Sequence, residues 1–205
     1  AHIKNDCFYY GEQKICSIDT LQLTGIHNLD NACAAIDAVW NIINDCDIIE
    51  RGLHKFQGLP HRLQFVKELN HIKYYDDSIA TTPGSAIAAL RSFDGPKVII
   101  LGGSSKGSDF SELAIELTKH DVAAILIGDE ANSIGEACLA AGFKNFMIVK
   151  NEDMTMELVV SLANGLLADS KTGGSVLLSP ASASFGLFKN YVDRGEQYCA
   201  AIKAL

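Results

Sequence analysis

The chain has 205 residues, of which 48% are hydrophobic and 20% charged. That length suits one large domain, or one domain plus a piece of another, and the composition can bury a core and argues against disorder. Seventeen lysines and arginines against 25 acids leave a net charge of −8 with no basic run, which argues against nucleic acid and anionic membrane surfaces as partners. A small anion needs only a local positive pocket. The longest apolar runs, Val98–Leu101 and Val122–Ile127, are of strand length, far short of the ~20 residues a membrane helix takes. Six cysteines (Cys7, Cys16, Cys33, Cys46, Cys138 and Cys199) form no CxxC pair and no Cys/His cluster. This argues against structural zinc and a disulfide framework and fits a reducing compartment. The first residues, AHIKND, lack the pattern of a secretion signal.

In chain order, residues 1–23 hold two short strand-like runs, Cys7–Tyr10 and Ile15–Ile18, around Gly11-Glu12. After Thr24-Gly25, Leu29, Ala32, Cys33, Ile36, Val39, Trp40 and Ile43 follow a helical period, with Asn28 a candidate cap or, with the amide of Asn31, a reader of a nucleobase edge. A shorter helix carries Ile49, Leu53 and Phe56, and Gln57-Gly58-Leu59-Pro60 ends it. The Gly and Pro there mark a domain boundary, with one unit over 1–57 and another over 58–205. Leu63/Phe65 and Ile72/Tyr74 alternate around Asn70-His71 and predict a hairpin. Strands are then expected at Val98–Leu101, Val122–Ile127, Phe146–Val149 and Ser175–Ser179. Helical periods fall at Ile87/Leu90, Phe110–Leu117, Ile134/Ala137/Cys138 and Leu158/Leu162/Leu166, and a last helix carries Phe185, Phe188 and Val192. Continuous apolar strands between amphipathic helices call for an α/β fold, a doubly wound, mostly parallel sheet covered on both faces. Ligands of such sheets sit at the carboxyl ends of the strands.

Four strings, three of them at those ends, carry candidate chemistry. Strand Val98–Leu101 runs into Gly102-Gly103-Ser104-Ser105-Lys106-Gly107, which is either an ordinary βα loop with a solvated lysine or a carboxylate or phosphate pocket. It is not a P-loop, because GxxxxGK[ST] is absent. Asp76-Asp77 precede Thr82-Pro83, a helix start; these acids either interact with the helix dipole or accept from ribose hydroxyls. Ser179-Pro180-Ala181-Ser182-Ala183-Ser184 opens the last helix, as caps or as a carboxylate site. Arg62, beside His61 at the domain boundary, is either a surface ion-pair residue or a phosphate clamp, and His61 is equally well structural. No Ser/His/Asp order, glycosidase-type acid pair or metal-ligand cluster stands out. On these grounds alone function stays open.

Taken together and in order, Gly25-Ile26-His27-Asn28-Leu29-Asp30-Asn31, Gly58-Leu59-Pro60-His61-Arg62, Asp77-Ser78-Ile79-Ala80-Thr81, Leu101-Gly102-Gly103 with Lys106, and Leu178-Ser179-Pro180-Ala181-Ser182-Ala183-Ser184 with Phe188-Lys189-Asn190-Tyr191 and Arg194-Gly195 resemble the motifs of the Mur ligases, closest to the members that add D-glutamate. The resemblance implies that 1–57 is the last part of a central ATPase domain and that 58–205 is the Rossmann-like C-terminal domain that brings the amino acid. It places the family's P-loop, carbamylated lysine and main Mg²⁺ ligands upstream of Ala1, and so no catalytic residue and no metal ligand within the chain. The implied reaction is ATP-dependent amide formation through an acyl-phosphate in peptidoglycan synthesis, by a cytoplasmic enzyme whose partners are small molecules: ATP with Mg²⁺, UDP-N-acetylmuramoyl-L-alanine and glutamate. By resemblance, Asn28, Asn31, Arg62 and Asp77 belong to ATP, with Asp77 on the ribose. Thr81, Lys106, Ser184 and Tyr191 belong to the amino-acid pocket, with Lys106 and Ser184 on carboxylates. One position departs from the pattern: the D-glutamate members usually read Asp-Ser-Lys-Ala-Thr, and Ile79 stands where that lysine would be. Losing one charge-assisted hydrogen bond, ~1.5–3 kcal/mol, leaves D-glutamate as the expected substrate and L-glutamate as the alternative. A non-catalytic nucleotide- or amino-acid-binding module, or a purely structural domain, are the readings from other classes.

Overall fold

The computed structural model describes residues 1–23, 25–168, 170 and 172–205; Thr24, read above as preceding the first helix, lies outside them. The chain forms two compact units, Ala1–Leu59 and Pro60–Leu205, so the division falls inside the Gly58-Leu59-Pro60 stretch.

In the first unit, β1 (His2–Lys4), β2 (Cys7–Tyr10) and β3 (Gln13–Ser17) form an antiparallel meander. A 3₁₀ turn (Ile18–Thr20) and two helices, α1 (His27–Trp40) and α2 (Cys46–Lys55), follow. Phe8, Ile15 and Cys16 of the sheet, Leu21 just after the 3₁₀ turn, Ala32 and Ile36 of α1, and Ile49 of α2 make its core. Helix α2 begins at Asp45, whose carboxylate accepts from the N–H groups of Asp47 and Ile48, satisfying two of the donors that a helix start leaves unpaired. Helix α1 is different. Ile26 occupies its N-cap position with no side-chain cap, and Asn28 lies inside the helix, so the expected Asn28 cap is not formed. All six cysteines are free thiols.

The second unit is a six-stranded sheet in the order β4-β5-β9-β6-β7-β8, made of β4 (Gln64–Leu69), β5 (Ile72–Asp76), β6 (Lys97–Gly102), β7 (Val122–Ile127), β8 (Phe146–Ile148) and β9 (Gly174–Leu178). Only β4 runs antiparallel to its neighbour. The hairpin turns at Asn70 and His71, at φ 51° and 64°, the left-handed pair that tight β-hairpins use. The helices are α3 (Pro83–Arg91), α4 (Ser111–Leu117), α5 (Ala131–Ala140), α6 (Met156–Leu167) and α7 (Tyr191–Ala204). Side-chain alternation explains the continuous apolar strands. Val98 and Ile100 of β6 enter one core with α6 and α7. Ile99 and Leu101 enter the opposite core with α3, α4 and α5. No helix among the described residues is long and apolar enough to cross a membrane.

Two helix starts decide how the sheet edge is built. Thr82 caps α3, its hydroxyl accepting from Ser85 N–H at 3.3 Å, with Pro83 in the first turn, as the sequence predicts. The last helix, by contrast, does not open on Ser179–Ser184. It opens at Tyr191, capped by Asn190 Oδ1, which accepts from Asp193 N–H at 2.9 Å, while Asp193 accepts from Lys189 N–H at 2.9 Å. Residues 179–190 form a separate loop, turned by Ala181 at φ 59° and Gly186 at φ 92°. Phe185 and Phe188 therefore precede the helix, and Ser184 is free of a capping duty.

Candidate functional site

Because β5, β9 and β6 are neighbours and parallel, the loops that leave their carboxyl ends lie side by side. They are stitched by backbone bonds: Asp77 N–H to Leu178 O at 2.9 Å, Ala181 N–H to Ala80 O at 2.9 Å, Gly102 N–H to Pro180 O at 2.7 Å and Ser104 N–H to Ala183 O at 2.8 Å. Gly103 makes the last approach possible. At φ 152° its backbone packs so closely on Ala183 O that any Cβ would collide with that carbonyl.

Arg194 of α7 lies beneath this junction, fully buried. Its Nε donates to Ser78 Oγ at 3.0 Å, Nη2 to Ser78 O at 2.7 Å and Nη1 to Ser182 O at 3.1 Å. Ser78 Oγ in turn donates to Tyr191 O at 2.7 Å. One guanidinium thus joins the loops after β5 and β9 to the start of α7. Burial pushes its pKa down to about 10, against the opposing pull of Asp76. Asp76, itself fully buried, accepts from Ser78 N–H at 2.9 Å and faces His61 Nδ1 at 2.7 Å. His61 O accepts from Ile79 N–H at 3.1 Å, so the turn before β4 is fixed to the loop after β5. His61 therefore has the structural role that the sequence left open.

Asp77 is buried too. Its Oδ1 accepts from Leu63 N–H at 3.1 Å and its Oδ2 from Ser179 Oγ at 2.7 Å. Burial raises its carboxyl to about 6; the Ser179 and Leu63 bonds oppose this, Asp76 adds to it, and Arg62 opposes it from a distance. Neither Asp76 nor Asp77 caps α3; the bonds of both carboxylates fasten the loops.

The remaining candidates lie on the same edge, with their polar ends unspent. Arg62 is exposed on the turn that enters β4, whose first residue pairs with the last of β5. Thr81 follows β5, Lys106 follows β6, Ser184 follows β9 and Tyr191 starts α7. Among the described residues, none of the Arg62, Thr81, Lys106, Ser184 or Tyr191 side chains has a hydrogen-bond or ion-pair partner within the protein. Arg62 is thus not in a surface ion pair. Lys106 is exposed and precedes α4, which starts at Ser111, by a stretch of loop, so its charge rather than a helix terminus is what an anion would meet there. Asn28 and Asn31 are in the first unit, where Asn31 Nδ2 donates to Asn28 Oδ1 at 3.2 Å on one face of α1. A groove on that unit, lined by Thr20, Asp47, Glu50, Arg51, His54 and Lys55, includes neither asparagine. No group of three or more His, Cys, Asp or Glu side chains that could hold a metal occurs among the described residues.

Sequence reasoning assigned no role to Arg194 or Ser78. A signal existed for Arg194: it recurs with Tyr198, Ala201 and Ile202 on the buried stripe of α7, and a cation on an apolar face has to be using its donors.

Residues 61–181 match the family model described as Mur ligase, glutamate ligase domain. The UDP-N-acetylmuramoylalanine–D-glutamate ligase of Clostridium tetani is 37% identical over 204 residues, covering 98% of this chain and 43% of that protein. The ligase of the same name from Methylobacillus flagellatus is 38% identical over 196 residues, 95% of this chain and 41% of its own length. The chain thus spans about two fifths of the curated relatives it matches. Among solved structures, the folylpolyglutamate synthase of Mycobacterium tuberculosis complexed with ADP superposes with a TM-score of 0.68 at 17% identity, covering 92% of this chain and 42% of that one. The UDP-N-acetylmuramate–alanine ligase of Thermotoga maritima does so with a TM-score of 0.63, also at 17% identity, over 90% and 39%. At that identity these two show the shared fold. With its glutamate ligase domain over most of the second unit, the chain belongs to the Mur ligase family.

Proposed function

We propose that this chain is the C-terminal portion of a cytoplasmic, ATP-dependent ligase that adds glutamate to UDP-N-acetylmuramoyl-L-alanine in peptidoglycan synthesis, with 1–57 the end of the central ATPase domain and 58–205 the amino-acid-adding domain. The observation that carries the reading is the set of unspent polar side chains on one sheet edge: two cations, Arg62 and Lys106, with the hydroxyls of Thr81, Ser184 and Tyr191, in a chain that is acidic overall. Such an edge suits a small dianion and a phosphate chain.

In the reaction, ATP phosphorylates the terminal carboxylate of the UDP-linked substrate. The glutamate amine then attacks the acyl carbon, the C–N bond forms and phosphate leaves. The residues of this chain bind and orient. Lys106 and Ser184 take the glutamate carboxylates, and Thr81 and Tyr191 complete the pocket. Arg62 takes phosphate or ribose, and Asn28 and Asn31 are assigned to ATP as well. Asp77 accepts from the ribose through lone pairs that its two intramolecular bonds leave over, since a carboxylate has about four acceptor positions. Mg²⁺ accompanies ATP and supplies charge neutralisation at the phosphates; we assign no residue of this chain to it. Closure around the acyl-phosphate excludes water that would hydrolyse it.

Ile79 favours testing a second substrate. Its N–H is bound to His61 O, but its side chain brings no charge to the pocket. The test is product formation by the full-length protein from UDP-N-acetylmuramoyl-L-alanine and ATP with D- or L-glutamate. Product with D-glutamate is expected. Product with L-glutamate alone replaces the substrate but keeps the ligase, and absence of product with either overturns the assignment.

A further inference from the structure

We infer that Glu130 is a positioning residue for Lys106, an inference that rests on the reading of Lys106 as a glutamate-binding group given above. Lys106 lies in a long, exposed loop between β6 and α4, and a flexible lysine on a free loop would pay most of its binding energy in ordering. The structure holds this loop from the next strand. Glu130, between β7 and α5, is 4% exposed. Its Oε1 accepts the backbone N–H of Lys106 at 3.0 Å, and its own N–H donates to Gly103 O at 3.1 Å. A single residue therefore grips both ends of the span Gly103–Lys106.

Two further observations give this grip a purpose. Gly128, two positions earlier in the same turn, lies against Gly103 so closely that a Cβ would come within 2.7 Å of Gly103 O and 2.8 Å of its Cα. The β7–α5 turn is thus pressed onto the base of the loop as well as bonded to it. On its other side the loop is fastened to the segment bearing Ser184, through Ser104 N–H to Ala183 O at 2.8 Å. Glu130 holds the Lys106 side of that hub, so the backbones that carry the lysine and the serine keep a fixed relation. Among the described residues Glu130 makes no ion pair, and its carboxylate serves the loop backbone alone. A carboxylate accepting a backbone N–H is a charge-assisted bond, stronger than an amide would make.

The experiment compares steady-state kinetics of the full-length ligase with Glu130→Ala, Glu130→Asp, Glu130→Gln, Lys106→Ala and the Glu130→Ala/Lys106→Ala double variant, varying glutamate and ATP separately. Glu130→Ala is expected to raise the KM for glutamate about tenfold, the scale on which a lost charge-assisted bond is read, with the KM for ATP within about twofold of wild type. Glu130→Gln, which keeps an acceptor but not its charge, recovers part of the loss. Glu130→Asp, one methylene short but still a carboxylate, gives an intermediate rise and serves where the alanine variant does not fold. The double variant is no worse than Lys106→Ala, because both changes disable the same group. Equal rises in both KM values, additive losses in the double variant, or wild-type glutamate kinetics in Glu130→Asp and Glu130→Ala beside a raised KM in Lys106→Ala would overturn the inference alone. Wild-type glutamate kinetics in Lys106→Ala would overturn the pocket reading and this inference with it.

Discussion

Replacing Asp77 by asparagine tests whether the loop after β5 is held by a carboxylate that resists ionisation. The fold raises this group from its ordinary 3.8 to about 6, chiefly by burial. From about pH 4 to about pH 6 the folded chain keeps the proton while the unfolded chain releases it, so stability falls as pH rises through that window and levels off above it. A shift of that size corresponds to about 3 kcal/mol at 1.36 kcal/mol per unit. Asparagine preserves the pattern of bonds: its oxygen still accepts from Leu63 N–H, and the Ser179 hydroxyl turns to accept from the amide. The variant should therefore gain about 3 kcal/mol relative to wild type between pH 4 and pH 7. The assay has to look at the right unit. The only tryptophan, Trp40, lies in the first unit, so the signal is taken from the second unit itself. Amide exchange of the β5 and β9 strands, or far-UV circular dichroism in urea, reports it. Parallel stability curves for the two proteins across this range would refute the reasoning.

Gly103→Ala drives a methyl group into Ala183 O and is expected to cost about 2–3 kcal/mol, the upper range for a backbone clash; an unchanged melting temperature would contradict the stitched-loop geometry. Asn190→Ala removes the cap of α7 and should cost about 1 kcal/mol, read by urea unfolding, whereas the capping reading of Ser184 would have put that loss at Ser184→Ala. The 205-residue chain alone contains no GxxxxGK[ST] loop and is expected to release no phosphate from ATP in the presence of glutamate, by a coupled phosphate assay. Turnover by the pure chain would place a phosphate cradle within it.

What the sequence conveyed best was periodicity. Strands buried on both faces, such as Val98–Leu101, read as continuous apolar runs, and the Asn70-His71 turn between alternating segments located the hairpin directly. What it conveyed poorly was the partnership of polar groups. Arg194 and Ser78 are 116 positions apart, and Asp77 and Ser179 are 102; no local pattern tells that such residues meet. The misplaced start of α7 has a local cause. Small hydroxyl residues after a strand look like caps, yet Ala181 and Gly186 bend that segment away, and Asn190 followed three residues on by Asp193, which accepts from Lys189 N–H, was the stronger start signal. The candidate site residues come from resemblance rather than from spacing. The structure adds a division among them, between groups already occupied within the fold, such as Asp77, and groups left unspent.

The strand order has a consequence for how the second unit is made. β9 is the last strand of the chain, yet it lies between β5 and β6. During synthesis the β4–β5 hairpin and the β6–β7–β8 group emerge as two separate pieces with unpaired facing edges, and neither can complete the sheet until residues 174–178 arrive to bridge them. Such late, sequence-distant pairing makes folding slow and leaves open edges exposed to aggregation. A ribosome stalled before Gly174 would hold two half-sheets rather than a smaller version of the domain, and the last stretch of the chain acts as the keystone of its assembly.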